Sequence, residues 1–158
     1  MATYKVSRNI EASIIDYLTS YLESGWTNIN IEKSFARIYT ISLPSVCVRV
    51  GDSDYDPAEI GSTDFIRSTR LFIDIFGDSM GLTLDLKDSI IFALKDGCPY
   101  YEYVIEKGQV KTKTQNGRLT FLNLADSGVN FDIDKDKLDV HDRNRWLINC
   151  DISRGKVE

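Results

Sequence analysis

Apolar residues recur every three to four positions in two segments of this chain, and each segment predicts an amphipathic helix. The first covers residues 9–23; we expect Ser7 or Asn9 to cap its start and a left-handed Gly25 to end it. The second follows a turn at residues 77–81 and is expected to end at Gly97. The stripes consist of Ile10, Ile14, Tyr17, Leu18, Tyr21 and Leu22 in the first helix, and of Leu82, Leu86, Ile90, Ala93 and Leu94 in the second.

Alternation of apolar and polar residues predicts two long strands, at residues 64–76 and 142–154. The core-facing residues are Leu71, Ile73 and Ile75 in the first strand, and Trp146, Ile148, Cys150 and Ile152 in the second. The opposite face of the first strand carries Arg70, Phe72, Asp74 and Phe76. A face that mixes charges with aromatic rings is typical of one that meets a partner or a second layer.

Shorter segments predict further β structure. Val46, Val48 and Val50 alternate with polar or small residues after Pro44, which indicates a half-buried strand. Residues 51–62 are rich in Gly, Asp and Ser and predict a long exposed loop. Strands are also expected at residues 100–105, 119–124 and 129–134, with hairpin turns at 106–109 and 115–117, and one or two short strands among Ile29, Ile31, Phe35 and Ile38.

This order of elements predicts an α+β domain with a mostly antiparallel β-sheet and two amphipathic helices packed on one face. A length of 158 residues fits one domain spanning residues 1–158. The other face of the sheet is left for solvent or for neighbouring subunits.

Composition narrows the function classes. The net charge of −5 disfavours a sequence-independent nucleic-acid binder, which needs a basic face. No apolar run is long enough to span a bilayer and no signal peptide is recognisable, so we expect a protein made and kept in a cytosol, without membrane contact. Cys47, Cys98 and Cys150 form no CxxC pair, and Cys47 and Cys150 are expected to pack as small hydrophobic residues.

Two acidic patterns resemble the start of a calcium loop. Asp52, Asp54 and Asp56 fall at alternate positions, but Pro57 and Thr63 occupy the places of the required Gly and Glu. The series Asp132, Asp134 and Asp136 fails in the same way. We therefore interpret both as solvated acidic segments and expect no metal or cofactor.

No catalytic motif is recognisable. His141 lies between Asp139 and Asp142, but no nucleophile motif accompanies it, and an exposed histidine at the start of the last strand is the favoured interpretation. Asp85 and Lys87 resemble part of a metal-dependent nuclease site, although their helical position favours a solvated face. We expect no enzymatic activity.

Four arginines on the two long strands leave two interpretations open. Arg67, Arg70, Arg143 and Arg145 would form a basic strip if the strands pair. Alternatively, they form cross-strand ion pairs with Asp74 and Asp151.

The chain resembles the tail-terminator, or tail-completion, proteins of long-tailed bacteriophages. The resemblance rests on the order of five segments: IEASIIDYLTSYL, PSVCVRVGDS, DFIRSTRLFIDIFG, LDLKDSIIFALKDG and RNRWLINCDIS. It covers most of the chain, with room for a β-hairpin insertion at about residues 98–138.

The resemblance implies a virion structural protein that forms a homo-hexameric ring at the head-proximal end of the tail tube. Such a ring ends tube growth and joins the tail to the head. Its partners would be further copies of itself, the tail tube protein and the head connector or head-completion protein, while DNA passes through without specific binding. The protein would be found in the virion tail and, during assembly, in the host cytoplasm. The alternatives are a head-completion or connector adaptor, or a small metal-dependent nuclease.

For such a subunit we expect contacts with neighbours through residues 52–62 and the hairpin region 108–117. The candidate interface residues are Asp54, Tyr55, Asp56, Arg67, Arg70, Phe72, Arg143 and Arg145.

Overall fold

The computed structural model describes residues 2–33, 38–129 and 134–158. Within these ranges the chain forms helices α1 (Val6–Glu23) and α2 (Met80–Leu94) and a single 3-10 turn at Lys135–Lys137. The strands are β1 (Ala2–Thr3), β2 (Asn30–Glu32), β3 (Ser45–Pro57), β4 (Phe65–Phe76), β5 (Cys98–Glu106), β6 (Gln109–Gly128) and β7 (Arg145–Val157). Of the helices in the described ranges, none has the length and hydrophobicity that crossing a bilayer requires.

The described strands form one curled sheet in the order β1-β5-β6-β7-β4-β3-β2. The first half of β6 pairs with β5 and its second half with β7, so this strand connects the two parts of the sheet. β2 runs parallel to β3, whereas the other neighbouring pairs are antiparallel. The predicted α+β class is confirmed. The predicted mostly antiparallel sheet is confirmed only in part, because the curled sheet is mixed.

Both helices pack on the same face of the sheet and share one apolar core. From the helices the core takes Ile10, Ile14, Leu18, Leu22, Leu86, Ile90, Ala93 and Leu94; from the central strands it takes Val46, Val48, Leu71, Ile73, Ile75, Ile148, Cys150 and Ile152. The Tyr17 hydroxyl links the helices by donating to the Ala93 carbonyl oxygen at 2.9 Å. Burial raises the pKa of the Cys150 thiol to about 12, and of the Cys47 thiol to about 11, as expected for packed thiols.

The start of α1 differs from the prediction because Asn9 has another role. The helix begins at Val6 with no side-chain cap, and Asn9 lies inside it. The Asn9 side chain instead accepts a hydrogen bond from the Tyr103 backbone N–H (3.3 Å) on β5. One turn later, Ser13 Oγ accepts from the Tyr101 N–H (2.9 Å) and donates to the Tyr101 carbonyl oxygen (3.4 Å). Helix α1 thus supplies β5 with hydrogen-bond partners that an adjacent strand would otherwise provide.

Helix ends elsewhere follow the sequence more closely. Helix α1 ends at Glu23 as predicted, but the described left-handed glycines do not include Gly25. Gly97 does have a left-handed φ of 78°, and a side chain there would collide with the Leu119 carbonyl oxygen. Ser79 caps α2 by accepting from the Leu82 N–H at 3.2 Å.

Two predicted connections are strands instead. Residues 51–57 continue β3, and after a register shift between Val50 and Ser53 residues 53–57 pair with β4, so the predicted loop is wrong for this part. The predicted turn at residues 115–117 is an irregularity inside β6, where Gly117 has φ +105° and the pairing shifts register. The predicted turn at residues 106–109 is confirmed at Lys107 and Gly108, both with positive φ. The expected strand residues Phe35, Phe131 and Ile133 lie outside the described residues.

Replacing Ser13 by Ala should lower the free energy of unfolding by about 1–3 kcal/mol, because the Tyr101 backbone groups would lose a hydrogen-bond partner at a partly buried site. Ser20→Ala, an exposed position of the same helix, is the matched control and should change it by less than about 0.5 kcal/mol. Denaturant unfolding measures both changes in free energy. Equal effects would show that the hydrogen bonds of Ser13 with the β5 backbone do not stabilise the fold.

Candidate assembly surface

The sheet face opposite the helices is organised around a buried carboxylate, Asp74 of β4. One Asp74 oxygen accepts from Arg49 of β3 at 2.7 Å, and the other accepts from Arg145 of β7 at 2.9 Å. The Asp74 side chain is 1% exposed, and those of Arg49 and Arg145 are 35% and 20% exposed. We call this group the Asp74 clamp. It joins three neighbouring strands through charged hydrogen bonds, because the register places each arginine diagonally across from Asp74 on the same face of the sheet.

A small second apolar cluster covers the sheet beside the clamp. Cys47 and Phe76 are fully buried against Ile38, with Ile41 and Leu43 packed around them. The Arg145 guanidinium lies over the Phe76 ring at 5.2 Å from its centroid. The mixed face predicted for the long strand therefore has its own second layer at this end.

The other end of that face is an open, polar groove of about 330 Å³. Its walls include Arg70, Phe72, Asn123, Asn149 and Asp151. Asp151 accepts from the Asn123 amide at 3.0 Å and lies 3.9 Å from Arg70, whose side chain is 65% exposed. These side chains pair with one another through hydrogen bonds and charge, so the groove has little unpaired charge for binding a ligand.

The end of β3 and the connection that follows it are strongly acidic. We call residues 51–64 the acidic arm; they comprise the end of β3 and its connection to β4. Asp52, Asp54 and Asp56 are exposed at alternate positions. On the same arm Tyr55 is 52% exposed and packs edge-on against Phe65, and the Arg67 guanidinium lies over its ring at 5.1 Å.

The β5–β6 hairpin has the opposite charge. We call residues 107–118 the basic arm; they contain Lys107, Lys111, Lys113 and Arg118 and no carboxylate. Every residue from 109 to 116 is exposed. Lys111 pairs with Glu106 at 2.7 Å and Lys113 lies 3.6 Å from Asp16, but both lysine side chains remain about half exposed.

The structure distributes the eight candidate interface residues among several places. Asp54, Tyr55 and Asp56 lie on the acidic arm with Arg67 at its base; Arg70 and Phe72 line the groove; Arg145 belongs to the clamp; Arg143 donates to the Leu138 carbonyl oxygen in the preceding loop. Their contacts with neighbouring subunits stay a prediction.

The four arginines do not form one strip, because each has a different set of partners. Arg145 pairs with Asp74 and Arg70 lies near Asp151, which is the cross-strand alternative. Arg67 instead pairs with Glu158 at 3.0 Å, and Arg154 approaches the same carboxylate at 3.5 Å. Sequence reasoning missed Arg49 and the lysines of the basic arm, although their alternation with apolar or Thr residues is visible in the sequence.

The candidate metal and nuclease residues do not converge. Asp52, Asp54 and Asp56 lie along one extended strand, where alternate residues are about 6.6 Å apart. Lys87 pairs with Asp88 and Asp126 and lies over the Trp146 ring, whereas Asp85 is exposed. In the described ranges no group of three or more His, Cys, Asp or Glu residues is placed to hold a metal ion. Asp132 lies outside those ranges.

His141 is not the exposed residue that the sequence predicted. Its side chain is 13% exposed, Nδ1 lies 2.7 Å from an Asp139 carboxylate oxygen and Nε2 lies 3.0 Å from the Ile41 carbonyl oxygen. Burial lowers the pKa of His141, but the hydrogen bonds to Ile41 and Asp139 outweigh it, and the pKa is raised above 6.5. Both neighbours are acceptors, so the doubly protonated ring satisfies both contacts and ties two loops together.

No family model and no curated protein matches the sequence. Among solved structures, the fold is similar to that of a chain in a structure described as the virion of a native gene transfer agent particle. The two chains are 14% identical, with a TM-score of 0.51 and coverage of 96% of this chain and 97% of the other. At this identity the likeness concerns the fold.

Replacing Asp74 by Ala should lower the free energy of unfolding by about 3–5 kcal/mol, because two partly buried arginines would lose their common partner. Asp85→Ala, an exposed carboxylate on α2, is the control and should cost less than about 0.5 kcal/mol. A loss for Asp74→Ala no larger than the control's would contradict the clamp.

The raised pKa of His141 makes stability depend on pH. The folded state binds the proton more tightly, so the stabilisation is complete below pH 6.5 and is lost as pH rises through the higher folded pKa. His141 is the only histidine, so His141→Gln should remove this slope from the pH dependence of the unfolding free energy. An unchanged slope in the variant would show that the proton on His141 does not stabilise the loops.

Proposed function

We propose that this chain is a structural protein of a phage-like virion that forms a homo-hexameric ring at the head-proximal end of the tail tube. There the ring would end tube growth and join the tail to the head. The observation that carries the proposal is the likeness in fold, over nearly the full length of both chains, to a chain of a gene transfer agent virion. The sequence resemblance to tail-terminator proteins supports the finer role.

The proposed partners are further copies of the chain, the tail tube protein and the head connector or head-completion protein. DNA would pass through the ring without specific binding, and a net charge of −5 supports this, because negative charge on the protein does not retain phosphates. The protein would act in the virion tail, after assembly in the host cytoplasm, without catalysis, cofactor or membrane.

The surfaces of the subunit support assembly. The helices cover one sheet face, and the clamp with its apolar cluster stiffens the other, so two exposed arms are held on a rigid support. A ring subunit needs two different contact surfaces, because each copy touches one neighbour on either side through a head-to-tail contact. The acidic and basic arms are such a pair of unlike surfaces.

Light scattering across a range of protein concentrations tests the ring. We expect a discrete species of about six times the 18.0 kDa chain mass, and retention of this species on purified tail tubes. A chain that stays monomeric at every concentration, both free and with tubes, would contradict the proposal. Binding to the head connector alone would instead support an adaptor role.

A cleavage assay tests the enzymatic alternative. We expect no metal-dependent cleavage of DNA by the purified protein. Cleavage that Asp85→Ala and Lys87→Ala both abolish would contradict the structural role, since these were the residues that resemble a nuclease site.

A further inference from the structure

The two arms differ in charge and lie on opposite sides of β7 in the sheet. The acidic arm continues the β3–β4 pair, and the basic arm continues the β5–β6 pair. Residues 51–64 contain five carboxylates and no cation, so their charge of −5 equals the net charge of the whole chain. Residues 107–118 contain four cations and no carboxylate. The two segments therefore carry opposite net charges.

Among the described residues, none forms an ion pair with a carboxylate of the acidic arm. Asp52, Asp54 and Asp56 form no ion pair with any residue in the described part of the chain. On the basic arm, the pairs of Lys111 and Lys113 are exposed ones, and such pairs contribute about 0–1 kcal/mol each. Replacing these pairs within the subunit by pairs with carboxylates of another subunit therefore costs little free energy.

Both arms also expose apolar side chains among their charges. Ile60 is fully exposed on the acidic arm, where Tyr55 is also 52% exposed, and Val110 is 49% exposed on the basic arm. Apolar groups surrounded by charged groups are the usual composition of a protein contact surface. The arms thus have apolar surface to bury as well as charge to pair.

The arms also carry open strand edges. Among the described residues, β2 pairs with β3 only at residues 45–47, so residues 50–57 have no strand on their outer side. Residues 109–115 of β6 pair with β5 on one side, and pairing with β7 begins only at Thr120. The unpaired backbone groups of an open edge can pair with a strand of another chain, and like charges on two facing edges disfavour that pairing. Acidic arms therefore repel each other, as basic arms do, and only unlike arms attract.

We propose that the acidic arm of one subunit docks against the basic arm of the next copy, and that this head-to-tail contact builds the ring. The inference rests on the ring in the proposed function and names the surfaces that form it. Repeated head to tail, a contact between two unlike patches is heterologous, and it closes into a ring when the rotation between successive copies divides a full turn. Charge complementarity sets which arms meet, and the apolar residues add the buried area.

The test exchanges the charges of the two arms in separate variants. The acidic-arm variant carries Asp52→Lys, Asp54→Lys and Asp56→Lys; the basic-arm variant carries Lys107→Glu, Lys111→Glu and Lys113→Glu. The control carries Glu23→Lys, Asp85→Lys and Asp96→Lys, three exposed acidic residues outside both arms, and changes the net charge as the acidic-arm variant does. Thermal unfolding checks that each variant folds, and sedimentation measures the mass of each.

Each arm variant alone should associate at least tenfold more weakly than the wild type, while the control assembles. An equal mixture of the two arm variants should regain ring-sized species, because each reversed arm then meets a complementary arm on the other variant. Raising the salt concentration should weaken the wild-type ring. Two results would overturn the arm contact but leave the ring: both arm variants associate as strongly as the control, or the mixture forms no rings although the wild type does. A wild type that is monomeric in every condition would overturn the ring and the arm contact together.

Discussion

The helices of this protein are shorter than the strands that they cover, and this difference decides which surfaces stay open. Helix α1, with 18 residues, is about 27 Å long, whereas the 13 residues of β3 extend about 43 Å and the 20 residues of β6 about 66 Å along the chain. The apolar core lies where helices and strands overlap. The strand ends beyond it form the acidic and basic arms.

Polar groups stabilise the rest of the sheet as much as apolar ones do. Asn9 and Ser13 of α1 satisfy the backbone of β5, and Asp74 draws Arg49 and Arg145 together across three strands. Buried ion pairs contribute little net stability, but they favour one register, since a shift would leave charges unpaired. A fixed register places both arms at defined positions on either side of β7.

The sequence pattern predicted what depends on local periodicity: both helices, the faces of the two long strands and the turn at Lys107. It could not predict the extension of β3 through residues 51–57, because Asp, Ser and Gly disfavour strands and this segment is extended only through pairing with β4. Asn116-Gly117 favours a turn locally, but pairing with β5 before it and with β7 after it keeps β6 extended. The clamp depends on register between distant strands, which sequence alone does not reveal. Contacts of residues 52–62 and 108–117 with neighbours are predicted from the sequence, but the basic charge of the second segment was missed.

Hydrogen–deuterium exchange of the assembled protein and of the protein dissociated by salt tests most directly whether the arms join subunits. We expect backbone amides in residues 51–57 and 109–115 to exchange more slowly in the assembled state, because docking excludes water and suppresses local opening there. Amides of the α2 surface should serve as an unchanged reference. Equal exchange of both arms in the two states, with slowing elsewhere, would contradict the account.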